Sequence, residues 1–169
     1  MLFTLLSILT LSPTASFADS GTIASFFSAT GGSWGGRGTV TMQNLGHSGG
    51  RYEIDVDRAT AAAAAGQWNV TTTISGMPGP TSTTLTKFQT AGSDLKVSST
   101  NYTSTALIKT TDAKTLAFST KHFDNGSGRN VTNAQTLTVL PNGDLHVISD
   151  IYQDSTLVEH FDYELTKGR

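Results

Sequence analysis

Alternation of apolar and polar residues at a period of two constrains this chain more than any other feature. Across Trp34–Gln43 the even positions are Trp, Gly, Gly, Val and Met, while the odd ones are Gly, Arg, Thr, Thr and Gln. That is the signature of a strand with one dry face. The pattern returns with Tyr52, Ile54 and Val56 against Glu53, Asp55 and Asp57, and again with Trp68, Val70, Thr72 and Ile74 against Gln67, Asn69, Thr71 and Thr73. A helix gathers residues three or four apart on one side and would scatter these apolar positions around its circumference. Such strands in succession predict an antiparallel sheet with one face packed and the other wet.

The rest of the chain continues the theme. Thr83–Gln89, Asp94–Ser98 and Thr103–Thr110 read as further strands. Leu85 is out of phase with Phe88, and Leu107 adjoins Ile108, so bulges or strand ends are expected there. In Thr115–Phe123 the residues Leu116, Phe118, Thr120 and His122 share a face. Asp124-Asn125-Gly126 predicts a turn whose glycine supplies positive φ. Leu137 and Val139 run through Pro141-Asn142-Gly143-Asp144 into Leu145, Val147 and Ile151, a hairpin with its own turn chemistry. The last strand, Leu157–Leu165, sets Leu157, Phe161, Tyr163 and Leu165 on one face with Glu159 among them. Arg58–Gly66, which holds a run of alanines, reads as a loop or a strand extension, and Met77-Pro78-Gly79-Pro80 as a turn. The expected fold is all-β: an antiparallel up-and-down β-barrel of about eight to ten strands, joined hairpin to hairpin, which leaves no open edge. A two-sheet sandwich is the alternative.

Ahead of the first strand, Asp19-Ser20 is an N-cap for a short helix over Thr22–Ala29 with Ile23, Phe26 and Phe27 on one side. Two turns of helix do not hold alone in water, so this one is expected to plug an end of the barrel. Leu2–Leu11 is an apolar run followed by Pro13 and Ser16-Phe17-Ala18, which reads as a secretory signal peptide over residues 1–18, with a buried N-terminal strand as the alternative. The run is too short to span a bilayer. Residues 19–169 then form one domain, exported to a periplasm or secreted. No cysteine is present among the 169 residues, so neither a disulfide nor a thiolate ligand is available, and a net charge of -2 with 14% charged residues gives no electrostatic reason to expect nucleic acid or an anionic membrane surface.

A short helix followed by Gly-x-Trp at the head of the first strand, here Gly32 and Trp34, resembles the calycin superfamily of lipocalins, fatty-acid-binding proteins and their bacterial relatives. The resemblance implies a lipocalin-like barrel that holds a small hydrophobic molecule inside, with Trp34 closing its base. Lipocalins also pack a late arginine over that tryptophan; the late cations here are Lys167 and Arg169. Gly32-x-Trp34-x-Gly36-x-Gly38 also resembles the opening of nitrobindin-type haem barrels, in which a histidine of the last strand ligates iron. His160 stands in the comparable place, but alternation puts it beside Asp162 and Glu164, facing solvent unless a bulge flips the strand.

Candidate ligand contacts are the larger or polar residues on the inward parity: Trp68, Phe118, His122, Glu159, Phe161 and Tyr163. A carboxyl group such as Glu159 among apolar neighbours must meet a partner, a ligand or water. Gly32, Trp34, Gly36 and Gly38 are assigned a structural role. None of the four histidines, His47 in a glycine-rich loop included, forms a short-spaced metal pair. No nucleophile elbow, phosphate loop or zinc-protease motif occurs, and Asp55 and Asp57 lie on the polar face, so a non-enzymatic protein without a cofactor is expected. The functional expectation is an exported, lipocalin-like binder of a small hydrophobic ligand, monomeric or weakly self-associating. The alternatives are a haem barrel, a surface structural or interaction protein, an isomerase or cyclase of an apolar substrate, and a small outer-membrane barrel. Strands nearer six or seven residues than the nine to eleven a membrane barrel needs argue against the last.

Overall fold

The computed structural model describes residues 20–43, 49–100 and 102–168. The expected signal segment and His47 lie outside the described residues. A helix, α1 (Ser20–Ala29), precedes ten strands: β1 (Gly32–Met42), β2 (Gly50–Ala64), β3 (Gln67–Ser75), β4 (Ser82–Ala91), β5 (Asp94–Ser99), β6 (Tyr102–Thr111), β7 (Thr115–Asp124), β8 (Arg129–Val139), β9 (Leu145–Gln153) and β10 (Thr156–Lys167). Every strand pairs antiparallel with the next, and β10 returns to pair with β1, so the sheet closes into a barrel instead of a sandwich.

The alternation seen in the sequence is the inside–outside alternation of this barrel. Trp34, Val40, Ile54, Val56, Trp68, Val70, Leu116, Phe118, Phe161, Tyr163 and Leu165 are buried in one cluster. The outward positions Arg37, Asp55, Asp57, Lys87, Lys96, Lys121, Asp162 and Glu164 are exposed. Most strands run nine residues or more, with β2 reaching 15, so the expectation of six- or seven-residue strands is corrected. The error came from ending each strand where its apolar residues ended, whereas a barrel strand continues through threonine, alanine and charged residues once its neighbours hold the ladder. Strand length therefore carries no argument against a membrane barrel; that argument rests on the outer face, where charged residues stand on a surface that a lipid-facing band keeps apolar.

Helix α1 closes one end. Ile23, Phe26 and Phe27 are its buried residues, at the i, i+3, i+4 spacing that makes one apolar side. The helix ends where the Thr30 N–H and Oγ1 both donate to the Phe26 carbonyl, each at 3.0 Å. Gly32, at φ +99°, then turns the chain into β1. Trp34 Nε1 donates to the Thr30 carbonyl at 3.0 Å, tying the first strand to the helix end, and the Lys167 ammonium sits 5.3 Å from the centre of the Trp34 ring. Above the helix, Phe27 stacks on Trp68 with ring centres 4.6 Å apart and touches Phe88 at 4.9 Å.

Gly36 and Gly38 allow the barrel to close tightly at the β1–β10 seam. A Cβ on Gly38 would collide with the Asp162 carbonyl and the Tyr163 Cα and Cβ, and one on Gly36 with the Glu164 carbonyl. Strands two apart in a flat sheet sit roughly 9.6 Å from each other. Here Cα atoms of β2 and β10 approach within 8 Å across β1, so the sheet is sharply curved at its first strand.

Of three local expectations, two come out differently. Leu85 does not mark a bulge: β3–β4 pairing is unbroken past it, and Leu85 simply points outward, 40% exposed. The bulge expected near Leu107 does occur, between Ile108 and Thr110. In the β7–β8 turn the positive φ belongs to Gly128 (+68°), not Gly126. The Asp124 carboxylate accepts from the Gly126 and Ser127 N–H groups, each at 3.1 Å, and from Ser127 Oγ at 2.6 Å. Those bonds organise a longer loop in which the left-handed residue comes two positions later; they also hold the Asp124 carboxyl below the usual carboxylate range.

Candidate functional site

Alternation delivers one inward side chain from every second residue of ten strands, and whether they fill the interior depends on their size. On the helix side they do. Beyond Phe88 the inward residues shrink to Thr72, Thr86 and Ser149 among the larger Phe118, Phe161 and Tyr163, leaving a cavity of about 470 Å³. That is within the span of small-molecule sites, roughly 300–1,000 Å³. Met42, Ile74, Met77, Val131 and Ile151 surround the end away from the helix, where β1, β3 and β9 finish and β8 begins.

Of the residues singled out in the sequence, Phe118, His122, Glu159, Phe161 and Tyr163 line this cavity. Trp68 does not. It is buried against Phe27 and belongs to the plug, because its place at the helix end of β3 brings it under α1 and not into the open half. Gly32 and Trp34 lie at the helix-to-strand junction, and Gly36 and Gly38 at the β1–β10 seam.

The main residue missed is Arg58. Reading Arg58–Gly66 as loop or strand extension hid it, although its even number continues the inward parity of Ile54 and Val56. In the barrel β2 runs through to Ala64, and Arg58 points into the cavity, 6% exposed. Its Nε is buried without a hydrogen-bond partner, and no carboxylate among the described residues forms an ion pair with it. Burial lowers its pKa, and the neighbouring Tyr163 phenol works in the opposite direction. Burial likewise raises Tyr163, an effect that Arg58 counters. Arg58 pairs with Trp34 and Tyr163 with Gly38, and between these two positions on β1 the inward residue is Gly36, which carries no side chain.

Toward the open end, Tyr102 and His122 lie face to face with ring centres 4.0 Å apart and planes 6° from parallel. His122 Nδ1 is buried without a partner. Burial raises the Tyr102 phenol, and a hydrogen bond with Thr120 offsets part of that rise. On the adjoining strands β8 and β9, next to β7 in the barrel, Ser149 Oγ donates to Asn133 Oδ1 at 3.1 Å.

Glu159 enters the cavity just after a bulge between Leu157 and Glu159. Burial raises its carboxyl above the ordinary range, so the folded protein holds that proton more tightly than the unfolded chain does. The carboxyl therefore costs the fold nothing in acid, where both states are protonated. The cost appears as pH rises through the ordinary carboxylate range and is complete above the raised folded value. Glu159→Gln is expected to raise the thermal midpoint at about pH 8 and leave it unchanged near pH 4. An equal midpoint for the two proteins at the higher pH would mean that water reaches Glu159 freely.

His160 faces outward despite the bulge, because alternation restarts at Glu159; its Nδ1 is 2.6 Å from Asp150 Oδ1. His146 forms a similar outer pair with Asp162 at 2.7 Å. The residue matching the haem-barrel ligand thus points away from the cavity, and the haem alternative does not fit. Among the described residues no group of three or more His, Asp or Glu side chains is placed to hold a metal ion, and no helix is long and apolar enough to cross a membrane. No family model matches the chain, and no curated protein matches its sequence.

Proposed function

We propose that this protein is a non-enzymatic carrier that holds one small, largely apolar molecule inside its barrel. The observation that carries the reading is the cavity of about 470 Å³, bounded by Val70, Phe88, Phe118 and Phe161 and opening at the end opposite α1. A barrel of this strand number can be filled by its own side chains; this one places threonine and serine where larger residues would close the space. The wall is mixed, with Arg58, Thr120, Asn133 and Gln135 beside the aromatic residues, so polar groups orient what apolar contact retains.

The resemblance to lipocalins supports the same reading. Lys167 over Trp34 occupies the role that the late arginine plays in that family, and Gly32 and Trp34 sit at the helix-to-strand junction. Export belongs to the proposal through the apolar run Leu2–Leu11 and Ser16-Phe17-Ala18.

Native mass spectrometry of protein purified from its own host tests the reading by weighing the mature chain and anything it carries. A titration with the neutral fluorophore N-phenylnaphthylamine tests the cavity itself. Fluorescence is expected to rise with the wild-type protein, and affinity to fall at least about tenfold in Thr86→Trp, whose indole would fill the space, a loss of roughly 1.4 kcal/mol in binding. Equal binding by both proteins would place the probe elsewhere and sink the proposal.

A further inference from the structure

Arg58 is difficult to explain as a structural residue. A guanidinium 6% exposed, with a buried Nε that meets no acceptor, is an expensive group to keep in an empty barrel. Native interiors satisfy nearly all such donors, so each exception calls for a physical explanation, of which a bound partner is one. Among the described residues no carboxylate pairs with Arg58: Arg37 is the arginine paired to a carboxylate, through Asp55, on the outer surface. Glu159, the carboxyl group on the cavity wall, makes no ion pair with Arg58 and feels burial alone.

We propose that Arg58 and Tyr163 form an anion-recognition site at the inner end of the cavity, and that the ligand is an amphiphile whose carboxylate enters first. The assignment rests on the barrel being a ligand-binding one. A planar guanidinium presents paired donors that match the two oxygens of a carboxylate, and the neutral Tyr163 hydroxyl adds a third donor from β10. A single buried cation balances a single negative charge. A phosphate monoester, carrying nearly two at neutral pH, would leave charge uncompensated in a low-dielectric space. Register fixes the orientation. Arg58 is paired with Trp34 near the helix-plugged end, while Met42, Ile74 and Met77 line the far end. The head group therefore lies deep and the apolar body lies toward the opening.

The experiment measures displacement of N-phenylnaphthylamine by decanoate and by decanol, which share a tail and differ in the charged head. Wild-type protein is expected to bind the acid about tenfold to a hundredfold more tightly than the alcohol, the worth of charge-assisted hydrogen bonds in a buried site. In Arg58→Met, similar in length and uncharged, that ratio is expected to fall to about one, and in Tyr163→Phe to an intermediate value. Decanoate should also raise the thermal midpoint of wild type and not of Arg58→Met. If probe and decanol bind wild type but the acid gains nothing, the anion site is wrong and the carrier reading stands. If neither probe nor alcohol binds, both fail. Should Arg58→Met not fold, an unchanged acid preference in Tyr163→Phe together with Arg58→Lys would overturn the site.

Discussion

Gly38→Ala is expected to cost the barrel about 3 kcal/mol or more, a large share of the stability of a domain this size. The added methyl carbon meets the Asp162 carbonyl and the Tyr163 Cα and Cβ, and neither is the free end of a flexible side chain. Relief requires β10 to move away from β1, which breaks the seam where the first and last strands pair. The same movement would separate Tyr163 from Arg58, so the variant is also expected to lose the acid preference. Gly126→Ala is the control: its φ is ordinary for an L-residue, and a Cβ there meets only the Asp124 carboxylate oxygens, at 3.4 Å and 3.9 Å. Denaturant midpoints should fall sharply for the first variant and barely move for the second. Similar midpoints would show that the seam has slack that the close approach of the strands does not suggest.

Phe27→Ala carries the second large effect. Phe27 is 2% exposed and fills the space between Trp68 and Phe88, so truncation removes its apolar burial and leaves a void that a ten-residue helix cannot collapse to fill. Such changes cost about 3–5 kcal/mol. For a domain of this length that is a drop in thermal midpoint of roughly 6–20 °C by scanning calorimetry. Because Phe88 also lines the cavity, the void should merge with the ligand space and admit longer tails. A drop of only a degree or two would mean that the helix is an ornament on a barrel that closes without it.

Much of the site is legible in the sequence. Phe118, His122, Phe161 and Tyr163 follow from counting by twos along single strands, since a strand's side chains must alternate whatever surrounds them. Trp68 obeyed the same parity and still fell outside the cavity, because parity says which face a residue takes and not how far along the barrel it sits. Arg58 was missed for the opposite reason. A charged residue followed by alanines carries no apolar signal, so β2 seemed to stop at Val56, yet the ladders to β1 and β3 carry it on to Ala64.

What the chain determined by itself is local: two-residue periodicity, an apolar side on α1, and turn chemistry at Pro141–Asp144, where Gly143 takes φ +89° as such a turn requires. Each follows from steric and hydrogen-bonding rules acting over a few residues. Only the tertiary structure decided that β10 returns to β1, since that pairing joins segments more than a hundred residues apart and no nearby residue encodes it. It also decided that the interior is left partly open and that an unpaired cation faces the space. Both depend on the summed volume and charge of side chains drawn from all the strands, a quantity that no single stretch of sequence contains.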